Sequence, residues 1–84
     1  MENKRKEAVE ILEKAISELE KIHNNAATKG IRTYDDTRRK ILSKDIEEER
    51  RNKIAESVIN AKDKIEEAVE KTKAIGSQIL KHTI

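Results

Sequence analysis

Ala8, Leu12, Ala15, Leu19, Ile22 and Ala26 follow one another at steps of 4, 3, 4, 3 and 4 residues, and that alternation suits one regular backbone. On an α-helix such steps gather all six on one side, whereas a strand would scatter them over both faces. Val9, Ile11 and Ile16 stand beside the stripe and widen it, which favours packing in a bundle over a two-stranded coil. Glu7, Glu10, Glu13, Lys14, Glu18, Glu20 and Lys21 fill the opposite side, with Glu10 and Lys14 in the favourable i,i+4 order. The spacing predicts a helix over about residues 3–28. Lys29 suits its negative end, and Gly30 suits a left-handed cap.

A second stripe runs through Ile54, Val58, Ala61, Ile65, Ala68, Thr72, Ile75 and Ile79, again alternating steps of 4 and 3. It predicts a long helix over residues 54–81. Thr72 and the neighbouring Gly76 are small enough to let another backbone come close, and isoleucine spread over both heptad positions favours assemblies larger than a parallel dimer. Between the two stripes, residues 31–53 hold few apolar side chains, chiefly Ile41, Leu42 and Ile46. Thr33 followed by Asp35 and Asp36 predicts a helix restarting near Tyr34. This segment either runs on as an exposed helix or breaks at Ser43, Lys44 and Asp45, and the capping pattern of Asp45 with Glu48 favours the break. The expected fold is therefore all-α: a helical hairpin or small bundle of two long amphipathic helices joined by a polar elbow, forming a single domain over residues 1–84.

Such a chain has little to hide from water. Among 84 residues there is one aromatic, Tyr34, with no Cys, Trp or Phe, so any core is built from Ile, Leu, Val and Ala. Alanine buries little area per contact, and a domain of this length buries a small fraction of its surface. Association of several copies is the expected remedy, and a homo-oligomer is the expected state. The 19 Lys and Arg against 17 Asp and Glu leave a net charge of +2, a balance that fits solvated helix faces. Polymeric nucleic acid is an improbable target, because Asp45, Glu47, Glu48 and Glu49 interrupt Arg38, Arg39, Lys40, Lys44, Arg50, Arg51 and Lys53. No run of about 20 apolar residues exists to span a membrane, and no apolar stretch follows Lys4, Arg5 and Lys6 as in a secretory signal. The expected location is cytoplasmic, in a bacterial or phage setting suggested by the Lys, Glu and Ile content.

Nothing in the chain assembles a catalytic set. Ser17, Ser43, Ser57 and Ser77 lack a His–acid pair, so no enzyme activity and no cofactor are expected. Glu20 and His23 spell Glu-x-x-His, a di-metal pattern of helical bundles, but further carboxylates would have to converge on it, and no metal site is expected. The elbow is the better candidate. Arg32, Thr33, Tyr34, Thr37, Arg38 and Arg39 bring guanidinium forks, hydroxyls and a ring together beside an expected helix start, a chemistry suited to an anionic small molecule of the nucleotide type. The competing reading has Asp35 and Asp36 neutralise Arg38 and Arg39 while Tyr34 plugs the end of the hairpin.

Two amphipathic helices joined by a basic elbow that contains a tyrosine are similar in general shape to small helical phage proteins that oligomerise and sequester nucleotide signals. The likeness is one of layout, and no motif carries residues across. The expected function is a non-enzymatic oligomeric helical binding protein, sequestering such a ligand through the elbow. The alternative is a structural, adaptor or inhibitor module that works by protein–protein interaction.

Overall fold

The computed structural model describes the backbone of residues 2–83 and the side chains of residues 3–75. The described chain forms four α-helices and no strand: α1 (Glu2–Leu19), α2 (Asn25–Leu42), α3 (Glu48–Asn60) and α4 (Lys62–Thr83). Helix α1 touches each of the other three. Helix α2 runs antiparallel to it, with Gly30 against Leu19 near one end and Arg38 bonded to Glu13 further back. Arg5 meets Glu48, and Glu18 meets Lys73, so α3 and α4 together run in the same direction as α1. The result is an up-down-up arrangement whose third rod is interrupted at Ala61.

The first helix stops nine residues before the expected end at residue 28. Asn24 is the reason. Its backbone is extended, at φ −150° and ψ 168°, and its Oδ1 accepts the Ala27 N–H at 2.7 Å, an N-cap worth about 1 kcal/mol. The stripe therefore ends at Leu19. Ile22 sits half-buried in the intervening turn, and Ala27 is buried in place of Ala26. The elbow from residue 31 is thus no elbow: those residues form the middle of α2, packed on α1 and α3. Thr33 caps nothing, because its hydroxyl donates to the Lys29 carbonyl one turn back, as Thr37 does to Thr33.

Gly30 does not cap a helix either; no described residue has positive φ. A Cβ at Gly30 would lie 2.8 Å from Leu19 Cδ1, so the glycine is what lets the end of α1 close on α2. Leu19 is 2% exposed and hemmed in, hence unable to yield freely. Gly30→Ala is expected to stay within about 1 kcal/mol of the parent, the gain in helix propensity offsetting the squeeze. Gly30→Val is expected to cost about 2–3 kcal/mol by overpacking. Chemical denaturation of the two variants checks this, and equal stabilities would contradict the close approach.

The expected break after Leu42 is present, as a turn in which Ser43 O accepts from Ile46 N–H. Asp45 is not its cap: the Asp45 N–H donates to Ser43 Oγ, and α3 starts behind Glu47 without a side-chain cap bond. The long helix expected over residues 54–81 is split at Ala61, whose N–H is shared between the Ser57 and Val58 carbonyls.

Two apolar clusters hold the helices together. Ala8, Leu12, Ile41, Ala55 and Val58 form one, and Ala15, Leu19, Ala27 and Val69 the other, with half-buried Tyr34 and Ile65 packed against both. Of the expected stripe Val58 is buried and Ile54 and Ile65 pack on the core, but Ala55 and Val69, which lie outside the stripe, are the other buried positions of α3 and α4. The break at Ala61 sets α4 in a different phase from α3, so Val69 and not Ala68 faces α1, and Ala68 and Ile75 are left exposed, Ile75 by 47%.

Candidate functional site

The six residues expected to bind a ligand are all on α2, far from its start at Asn25. The free N–H groups that an anion would use are therefore not beside Arg32. Arg38 lies 2.7 Å from Asp35 Oδ1 and 3.6 Å from Glu13, while Arg39 Nε reaches Asp35 Oδ2 at 2.9 Å. One carboxylate thus holds both arginines, and Asp36 takes Lys40 instead, at 3.3 Å. The Thr33 and Thr37 hydroxyls are spent on helix carbonyls. Tyr34 leans inward, and burial pushes its hydroxyl pKa up. Arg32 alone of the six faces solvent with no ion pair among the described residues, next to Lys29 one turn earlier, which is also unpaired. Glu20 and His23 sit in the turn after α1 rather than on one helix face, and both are exposed. Among the described residues, no three His, Asp or Glu side chains gather as metal ligands would, and no helix is long and apolar enough to cross a membrane.

The surface that the expected site missed belongs to α1 and α4. Between them lies an open groove of about 580 Å³ with Ile11, Ala15, Ile65 and Val69 at its base and Glu7, Glu10 and Glu66 along its edges. Lys73 closes one end of it, donating to Glu18 at 2.7 Å and reaching Glu70 at 3.5 Å. The hydrogen bond from Lys73, with the charge of Lys21 behind it, holds the Glu18 carboxyl below its ordinary range; the same bond pushes the Lys73 ammonium up. Glu18 therefore supports the fold above its unfolded pKa of about 4.5, and that support is lost as pH falls through the lower folded value. Lys73 supports the fold below about 10.5, and its part is lost as pH rises through the higher folded value. Glu18→Gln is expected to lessen the fall in melting temperature between about pH 6 and about pH 3; an undiminished fall would show that the pair contributes nothing.

Beyond Lys73 the geometry changes. Helix α4 continues for ten more residues to Thr83, while α1 has ended at Leu19, one residue past the Glu18 that Lys73 grips. Ala74 and Ile75 are exposed just past Lys73, and Ala68 is exposed one turn before it. In sequence the apolar residues go on, with Ile79 and Leu80. The whole described body measures 49 × 22 × 13 Å, more than twice as long as it is wide. What the fold and this surface define is an all-α module with exposed apolar residues, Ala68, Ala74 and Ile75, along its last helix. No protein-family model, curated protein or solved structure matches the chain.

Proposed function

We propose that the protein is a non-enzymatic helical binding module whose first partner is a second copy of itself, docked along α4. The observation that carries this is the exposed Ala68 and Ile75 on a helix whose stripe repeats every seven residues while the chain itself covers only one edge of it. A copy of the chain is always present at matching concentration and carries the same unfilled stripe, and closed two-fold assemblies are the commonest outcome of such self-complementarity. Dimerisation that binds only the folded state makes the melting temperature climb with protein concentration. A hundredfold dilution series read by circular dichroism tests this, and a melting temperature independent of dilution would count against self-association.

A second reading keeps one observation in its favour. Lys29 and Arg32 are exposed on one face of α2 and unpaired among the described residues, so they offer two cations to an anionic, nucleotide-type ligand. Arg38 and Arg39 would have to leave Asp35 to join them. A panel of nucleotides that raises the melting temperature of the parent but not of Arg32→Ala would support this reading. With either partner the protein acts by holding, as an adaptor, inhibitor or ligand trap, and no turnover is involved.

A further inference from the structure

The two walls of the α1–α4 groove share one periodicity. On α1, Glu7, Ile11, Lys14 and Glu18 line it at steps of 4, 3 and 4 residues. On α4, Lys62, Glu66, Val69 and Lys73 line it at the same steps, and the two helices run in the same direction. Each wall thus spans eleven residues, about 16 Å or roughly three helical turns. The floor is apolar: Ile11 and Ile65 are half-buried, and Ala15 and Val69 are buried. Neither α2 nor α3 lines it. Two ridges with matching 4-and-3 steps and an apolar floor are the surface on which a third helix packs.

Charge narrows the occupant. The chain carries a net +2, yet the groove lining holds five glutamates against three lysines. Lys73 is already taken by Glu18 and Glu70. Glu7 and Glu10 on one edge and Glu66 on the other are exposed, with no ion pair among the described residues, and only Lys14 and Lys62 are left to balance them. Two copies meeting groove to groove would set these glutamates against each other, and neither groove would be filled. A copy that put its basic side into the groove would leave its own groove open and build an endless chain. We propose that the groove takes an amphipathic helix of a basic partner protein. Apolar side chains of that helix, at steps of 3 and 4, sit on Ile11, Ala15, Ile65 and Val69, and its Lys or Arg side chains reach Glu10 and Glu66 on the two edges. The stems of those cations cover the outer parts of Ile11 and Ile65. Ala68 and Ile75 do not line the groove, so this partner and a second copy use different sides of α4.

The probe is a labelled synthetic peptide of roughly four helical turns, with leucine at steps of 3 and 4 and lysine on both flanks. Its control carries glutamate in place of every lysine. Fluorescence anisotropy with the full-length protein is expected to show the lysine peptide binding about tenfold or more tightly than the control, by a margin that shrinks as salt is raised. The triple variant Glu7→Lys, Glu10→Lys, Glu66→Lys changes only exposed side chains, so its thermal transition should stay while its preference between the peptides reverses. Equal affinities, or no binding of the lysine peptide at about 1 mM, would overturn the proposal. Isoleucine methyl spectra locate the peptide. Shifts at Ile11 and Ile65 with Ile41 unmoved are expected, and shifts led by Ile75 would place the peptide on the other side of α4 and overturn it. A light-scattering mass that falls in the triple variant would mean that another copy fills the groove, which overturns a basic partner too. Ile75→Glu is expected to leave the affinity for the lysine peptide unchanged, so loss of self-association and loss of this site are read separately; a loss of peptide binding there would overturn the assignment to the groove.

Discussion

Leu12→Ala is expected to lower the unfolding free energy by about 3–5 kcal/mol, the upper part of the range for buried leucine truncations. Leu12 is 1% exposed and, with Leu19 and Ile41, is one of the largest fully buried side chains among the described residues. Four of the other buried residues are alanines, Ala8, Ala15, Ala27 and Ala55, which have no spare side chain to move into the space. The cavity therefore stays open, and the cost is the lost transfer energy plus the lost contacts around the hole. In a chain of this length about 3 kcal/mol is worth roughly 12–24 °C in melting temperature. Leu42 serves as the control. It is 57% exposed at the end of α2, and Leu42→Ala is expected to change stability by no more than about 0.5 kcal/mol. Thermal unfolding followed by circular dichroism compares the two, and similar shifts would mean that the core does not lie where α1, α2 and α3 meet.

Ile75→Glu is expected to do the reverse: to spare the fold of the single chain and to break the pair. The side chain is 47% exposed in one copy, so a carboxylate there keeps its water when the copy is alone. In a pair docked along α4 it would be carried against the other copy, and by two-fold symmetry this happens twice. The expected weakening is about a hundredfold or more in the dissociation constant, equivalent to about 2.8 kcal/mol. Sedimentation equilibrium measures it. The thermal transition of the Leu12 cluster should survive in the monomer, because no residue of that cluster touches Ile75. Unchanged association would show that the exposed side of α4 is not where copies meet. Loss of the fold together with the pair would show that Ile75 supports the body after all.

The contrast between Leu12 and Ile75 also marks how far this sequence can be read unaided. Ala8, Leu12, Ala15 and Leu19 are all buried, as their 4-and-3 spacing requires, and Ser43 and Asp45 mark a genuine break. The reading failed at Asn24. Ile22 and Ala26 happen to continue the spacing, and periodicity has no term for a cap; the signal that could have found the turn is the His23-Asn24-Asn25 run, since asparagine bonds local backbone N–H groups more readily than it extends a helix. Once Asn24 starts α2, the region expected to be an elbow becomes helix and its charges pair along the rod, Asp35 with Arg38 and Arg39, Asp36 with Lys40. The third rod shows the other limit. The spacing runs unbroken through Ala61 while the backbone does not, so Val58 of α3 meets the core as expected but α4 turns Val69 towards α1 in place of Ala68. Val69 is buried while Ala68, one residue earlier, is open to water. That surplus of apolar surface is visible only when both the sequence and the fold are in hand.

The central claim is that the uncovered side of α4 is covered by another copy. Light scattering on the purified chain at micromolar concentration tests it most directly. The account predicts a mass of twice the 9.7 kDa chain, about 19 kDa, falling to the single-chain value in Ile75→Glu. A parent protein that stays at 9.7 kDa through the same concentration range, with α4 still helical, would contradict it.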